Sequence, residues 1–132
     1  MRKMKRYSKG IISIQVVIYD NTGTSLTDEI DMQKKLAEEL GIGITQKLET
    51  DLDVVFPPTT RYNQLFIYKG ESINEGNPNY EVWIAAMQND EAYYLVTMVT
   101  PTKESRYFAW IENKSAFESI VSSLEPISFY EE

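Results

Sequence analysis

The chain has no cysteine and no histidine among its 132 residues. Without cysteine there is no disulfide, no thiolate metal site and no thiol nucleophile, and redox compartment cannot be read from thiols. Without histidine the commonest general base and the commonest transition-metal ligand are both missing. No apolar run approaches the roughly 18 residues of a membrane-crossing helix, so membrane insertion by this chain is not expected. The basic start followed by IISIQVVIY resembles a signal peptide only in outline, because Ser13, Gln15 and Asp20 interrupt the run and no small-residue cleavage site follows.

Positive charge is also scarce, with 13 basic residues against 20 acidic ones. Five of the 13 (Arg2, Lys3, Lys5, Arg6, Lys9) fall in the first nine positions, so the remainder is strongly acidic. Such a body repels phosphate backbones and anionic lipid, and no nucleic-acid partner is expected. The reading is therefore a basic N-terminal segment (1–10), one domain (11–127) and an acidic tail (128–132). At 42% hydrophobic residues, the chain can build a core of ordinary size.

What is present is concentrated in residues 80–124. Val82, Ile84 and Ala86 alternate with Trp83, Ala85 and Met87, and Tyr93, Leu95 and Val99 alternate with Tyr94, Val96 and Met98. Both stretches are apolar on both period-2 faces, so both need a covering layer above and below. Residues 88–91, with Asn89-Asp90, suit a tight connection between them. After Pro101 the period changes to 3.6, with Tyr107, Trp110, Phe117, Ile120, Val121 and Leu124 in one stripe, predicting a helix over 103–124.

Upstream, residues 11–19 alternate Ile12, Ile14, Val16 and Ile18 against Ser13 and Gln15, as a half-buried edge strand does. DNTGT (20–24) is a turn. Ser25 with Asp28 predicts a capped helix over 25–40, its apolar face Leu26, Ile30, Ala37 and Leu40, with Gly41 just past its end. Residues 44–55 alternate weakly and are closed by Pro57-Pro58. Residues 61–69 form a strand with Tyr62, Phe66 and Tyr68 on one face and Leu65 and Ile67 on the other, and GESINEGNPN (70–79) is a polar loop. The sum is an α+β fold, a mostly antiparallel sheet of about five strands sandwiched between helices.

Chemistry-bearing constellations are sparse. There is no G-x-S-x-G, no S-x-x-K and no glycine-rich phosphate loop. The Gly41-x-Gly43 pair sits at a helix C-terminus, the wrong pole for phosphate. Glu49, Asp51 and Asp53 share one face of an extended segment, but lack the glycine turn and closing glutamate of a calcium loop, and read as a solvated face. Neither a catalytic residue, a metal nor a cofactor is expected. Tyr62, Phe66, Tyr68 and Trp83 are the candidate partner or ligand surface, set against the alternative that they are core beneath a helix. Function divides between a non-catalytic domain acting through protein–protein contacts, a small-ligand or lipid-binding module with an apolar pocket between helix and sheet, and, third, a carboxylate-based hydrolase.

The ending IAAMQNDEAYYLVTMVTPTKESRYFAWIENKSAFESIVSSLEP resembles that of the PsbP-like superfamily: strand, short polar turn, a strand reading Y-x-L-T/V-x-x-T/A-P, and a helix closing on serine and proline. Tyr93, Tyr94, Leu95, Thr100, Pro101, Phe117, Ile120, Ser123 and Leu124 carry the likeness, and Ser25-Leu26 after the strand IISIQVVIY adds to it. The resemblance implies an antiparallel sheet between helices. The superfamily holds photosystem II extrinsic proteins, a Ran-binding nuclear-import factor and bacterial envelope proteins, none characteristically an enzyme. Its usual N-terminal hairpin, with a Y-x-P-x-x-W signature, is expected to be missing, because only MRKMKRYSKG precedes the 11–19 strand. That leaves two arrangements for the edge of the 11–19 strand: pairing with a second copy in a homodimer, which is favoured, or fold-back of the basic segment.

Overall fold

The computed structural model describes residues 2–7, 10–18, 26–39, 41–48, 52, 54–57, 62–72, 77–88 and 92–123. Six strands, β1 (Arg2–Tyr7), β2 (Gly10–Ile18), β3 (Ile42–Leu48), β4 (Tyr62–Ser72), β5 (Asn77–Gln88) and β6 (Ala92–Pro101), form one sheet in the order β1-β2-β6-β5-β4-β3. Every neighbouring pair is antiparallel. Helices α1 (Leu26–Glu39) and α2 (Tyr107–Ser123) cover opposite faces, so the fold is the α+β sandwich expected, with a sixth strand added.

The parity of the inner strands decides the two cores. Val82, Ile84 and Ala86 join Leu95, Val99 and Tyr68 under α1, whereas Trp83, Ala85 and Met87 join Tyr94, Val96, Met98 and Ile67 under α2. All six consecutive residues from Val82 to Met87 have 0% exposure, which requires a layer on each side of β5. Each large apolar side chain removed from water in this way contributes about 1.5–3 kcal/mol before the entropy of ordering is counted.

Each helix meets its face through a narrow stripe. On α1 the buried positions are Glu29, Ile30, Gln33 and Ala37, and Ala37, at 1% exposure, lets the helix lie close on the sheet. The expected apolar face thus includes two polar residues. Gly41 follows with φ +92°, a left-handed conformation that L side chains adopt at a cost, and its N–H donates to the Glu38 carbonyl at 2.9 Å. On α2 the buried stripe is Trp110, Asn113, Phe117 and Val121. This helix begins later than the expected 103, because Thr102 closes a turn first: its carbonyl accepts from the Ser105 and Arg106 N–H groups at 3.2 and 3.0 Å, and its hydroxyl accepts from Ser105 N–H at 3.2 Å.

Three other expectations are corrected. The 70–79 loop is shorter, since β4 continues to Ser72 and β5 starts at Asn77. Pro78 fits there because it lies past the last β5–β6 pair, Tyr80 with Pro101, where a ladder donor is not needed on both sides. Gly70 is tolerant of no side chain, as a Cβ there would lie 2.6 Å from Ile42 Cγ2. Of the two arrangements for the 11–19 strand, the fold-back is observed: β1 pairs with β2 from Arg2 with Gln15 to Tyr7 with Gly10. The 11–19 strand is therefore interior, with β6 on its other side, and the edge assigned to a second copy is taken by the chain's own β1. The 44–55 stretch is split: β3 ends at Leu48, and Leu52, Val54 and Phe56 pack into the core under α2. Glu49, Asp51, Asp53 and the tail 128–132 lie outside the described residues.

Candidate functional site

The four aromatic candidates do not form one surface. Phe66 and Tyr68 are on the α1 side, with rings stacked at 6.4 Å and an interplanar angle of 5°. Lys47 Nζ lies 5.5 Å from the Phe66 ring and Lys34 Nζ 4.7 Å from the Tyr68 ring, so alkyl stems and ammonium groups cover what the helix does not. Tyr62 is exposed, and its hydroxyl donates to Gln64 Oε1. Trp83 lies on the opposite face at 0% exposure, edge-on to Trp110 at 6.4 Å and to Phe117 at 5.4 Å, its indole N–H donating to Glu81 Oε1 at 2.8 Å. The sheet register separates them: Ile67, not Phe66 or Tyr68, is the β4 residue opposite Trp83.

A different aromatic group is exposed, at the start of α2. Phe108 is 80% exposed and Tyr107 50%, and their rings meet edge to face at 5.6 Å. The 3.6-period stripe includes Tyr107, but it sits one turn ahead of Trp110, in the first turn of the helix, with half its surface open. Its ring lies 6.4 Å from that of Trp110, which is buried and carries Lys103 Nζ at 5.4 Å. Lys103, Glu104 and Arg106, just ahead of the pair in sequence, are exposed. The corner is thus two solvent-facing rings beside a buried indole that carries Lys103. Phe108 was legible as an aromatic outside the 3.6-period stripe, a position that core packing does not explain.

Two buried polar pairs hold the helices to β6. The Thr97 hydroxyl donates to Gln33 Oε1 at 2.8 Å on the α1 face, and Asn113 Nδ2 donates to Thr100 Oγ1 at 2.8 Å on the α2 face. The Thr100 hydroxyl in turn donates to the Pro101 carbonyl at 3.0 Å. One turn before Gln33, Glu29 is 4% exposed and its Oε2 has no hydrogen-bond partner. Burial pushes the Glu29 carboxyl above its usual range, and the neighbouring Asp28 carboxylate adds to the push.

A group whose folded pKa is raised opposes folding when it is ionised. The opposition is absent below the ordinary glutamate range, about pH 4, and grows as the pH rises through that range toward the folded value. Glu29→Gln should accordingly melt at a higher temperature than the parent at pH 7, with the difference shrinking as the pH is lowered to about 4. Thermal melts at three pH values check this; a difference that stays constant with pH would place the effect elsewhere than in ionisation.

Among the described residues no group of three or more His, Cys, Asp or Glu side chains is arranged to hold a metal, and no helix is long and apolar enough to cross a membrane. No family model, curated protein or solved structure matches the chain.

Proposed function

We propose that this chain is a non-catalytic binding or accessory domain that acts through protein–protein contact, with the Tyr107–Phe108 corner as its contact surface. The observation that carries the reading is Phe108, a large aromatic with four-fifths of its surface in water on a rigid helix. Exposed rings cost solubility and contribute little to folding, whereas Tyr, Trp, Phe and Arg supply much of the energy in protein interfaces. Lys103 and Arg106, just ahead of the pair in sequence, favour a partner with acidic groups around an apolar hollow.

The packing of the inner sheet supports a protein partner over a small ligand held inside. The β5 residues from Val82 to Met87 are wholly covered on both faces, so among the described residues the centre of the sheet is packed by the chain's own side chains. Within this reading the chain is a PsbP-like accessory protein, supported by the antiparallel sheet between helices and by the strand, turn, strand and helix that end it.

The test uses Phe108→Ser. Because the side chain is exposed, the melting temperature should hold within a degree or two. Affinity purification from a native extract with parent and variant side by side should show a protein retained by the first and lost by the second, with Kd weakened roughly 30-fold, the scale of an interface hot spot of about 2 kcal/mol. A partner that binds both equally removes the corner from the interface.

A further inference from the structure

The sheet ends on one side in β1, whose sequence is RKMKRY, in a chain of net charge −7. Among the described residues no strand pairs with the outer side of β1, so its outward N–H and C=O groups form a template for another extended segment. We infer that β1 is a docking edge for an acidic peptide in extended conformation, added to the sheet as a seventh strand.

Main-chain pairing supplies the affinity of such strand addition, and side-chain charge selects the partner. Four of the six β1 residues, Arg2, Lys3, Lys5 and Arg6, are cationic and occupy both alternating register positions, so charge complementarity selects an acidic strand. The same charges reject a second copy. In an antiparallel pair of β1 strands centred on Met4, Arg2 falls opposite Arg6 of the second copy and Lys3 opposite its Lys5. Like charges directly opposed across a ladder are destabilising, and sliding by one residue still sets Lys3 against Arg6. Basic residues on an edge strand usually keep all strands away. Here they keep away neutral and basic ones, while the acidic remainder of the chain leaves β1 as the attractive place for an anion to approach. This edge lies on a different element from the Tyr107–Phe108 corner, so either can fail without the other.

The experiment titrates the 15N-labelled intact chain with a fluorescein-labelled ten-residue peptide alternating Thr and Glu, and in parallel with its Thr–Lys counterpart. The acidic peptide should bind, lose about tenfold in affinity from low to high salt, and protect every second β1 amide from exchange while β4 amides are unchanged. The Thr–Lys peptide should not bind. In the Lys3→Glu, Lys5→Glu double variant, with β2–β6 amides checked for retained protection, preference should weaken or reverse. Equal binding of both peptides, binding of neither, or a dimer in sedimentation whose β1 amides are already protected would each overturn the inference.

Discussion

Trp83→Ala should destabilise the protein by about 3–5 kcal/mol, the range of large aromatic truncations in cores. The residue has 0% exposure, and it is the point at which β5, Trp110 and Phe117 meet. Alanine removes both edge-to-face contacts, each adding about 0.5–1.5 kcal/mol beyond the area buried, and leaves a cavity walled by a sheet on one side and a helix on the other. Neither wall collapses easily, because the sheet is held by ladders and α2 is held by Asn113. A loss of this size is a large part of a domain's usual stability of about 5–15 kcal/mol. Urea unfolding at pH 7 measures it through the midpoint, and a loss under about 1 kcal/mol would contradict double coverage of β5. Trp83→Phe should cost less while still freeing the Glu81 carboxylate from its N–H partner.

The second large effect is expected at the Asn113–Thr100 pair, as non-additivity. Asn113→Leu alone leaves the buried Thr100 hydroxyl without its donor and should cost about 1–3 kcal/mol. Thr100→Val alone strands the Asn113 amide and should cost a similar amount. Made together, they replace a polar contact by an apolar one of like shape, and the double variant should fall well short of the sum of the singles. The parent pair is only half satisfied, since Asn113 Oδ1 has no partner, which limits the net stability it adds. Four denaturation curves complete the cycle. Simple additivity would mean that the hydrogen bond does not couple the two residues.

The inner sheet was legible because its signal is redundant. β5 is apolar at six consecutive positions and β6 is apolar on both faces apart from Thr97 and Thr100, and only strands covered twice accommodate that. The outer elements carry weaker signals. The apolar face expected for α1 leaves out Glu29 and Gln33, because it is drawn from apolar residues alone, yet the helical repeat places both with Ala37 on the buried side. Gly70 and Pro78 read as loop residues, and only the Ile42 side chain and the end of β6 explain why they belong to strands. The four aromatic candidates are split between two faces for a related reason. Parity along one strand separates Phe66 and Tyr68 from Ile67, but which of these shares a face with Trp83 depends on cross-strand register, and no local pattern encodes it. Phe108 needed the opposite inference, from an aromatic that periodicity leaves over.

The sheet order also sets a timetable. The β1–β2 hairpin is local in sequence, whereas its inner neighbour β6 is the last strand among the described residues, with Ile18 paired to Ala92. At ribosomal rates of about 5–20 residues per second, β2 waits on the order of ten seconds for its mate to emerge. Throughout that wait its inner side is a bare isoleucine-rich ladder, guarded by cations on the β1 side alone. The nascent chain is thus at its most adhesive before β6 exists, and a holding factor that binds apolar strands has its natural window there.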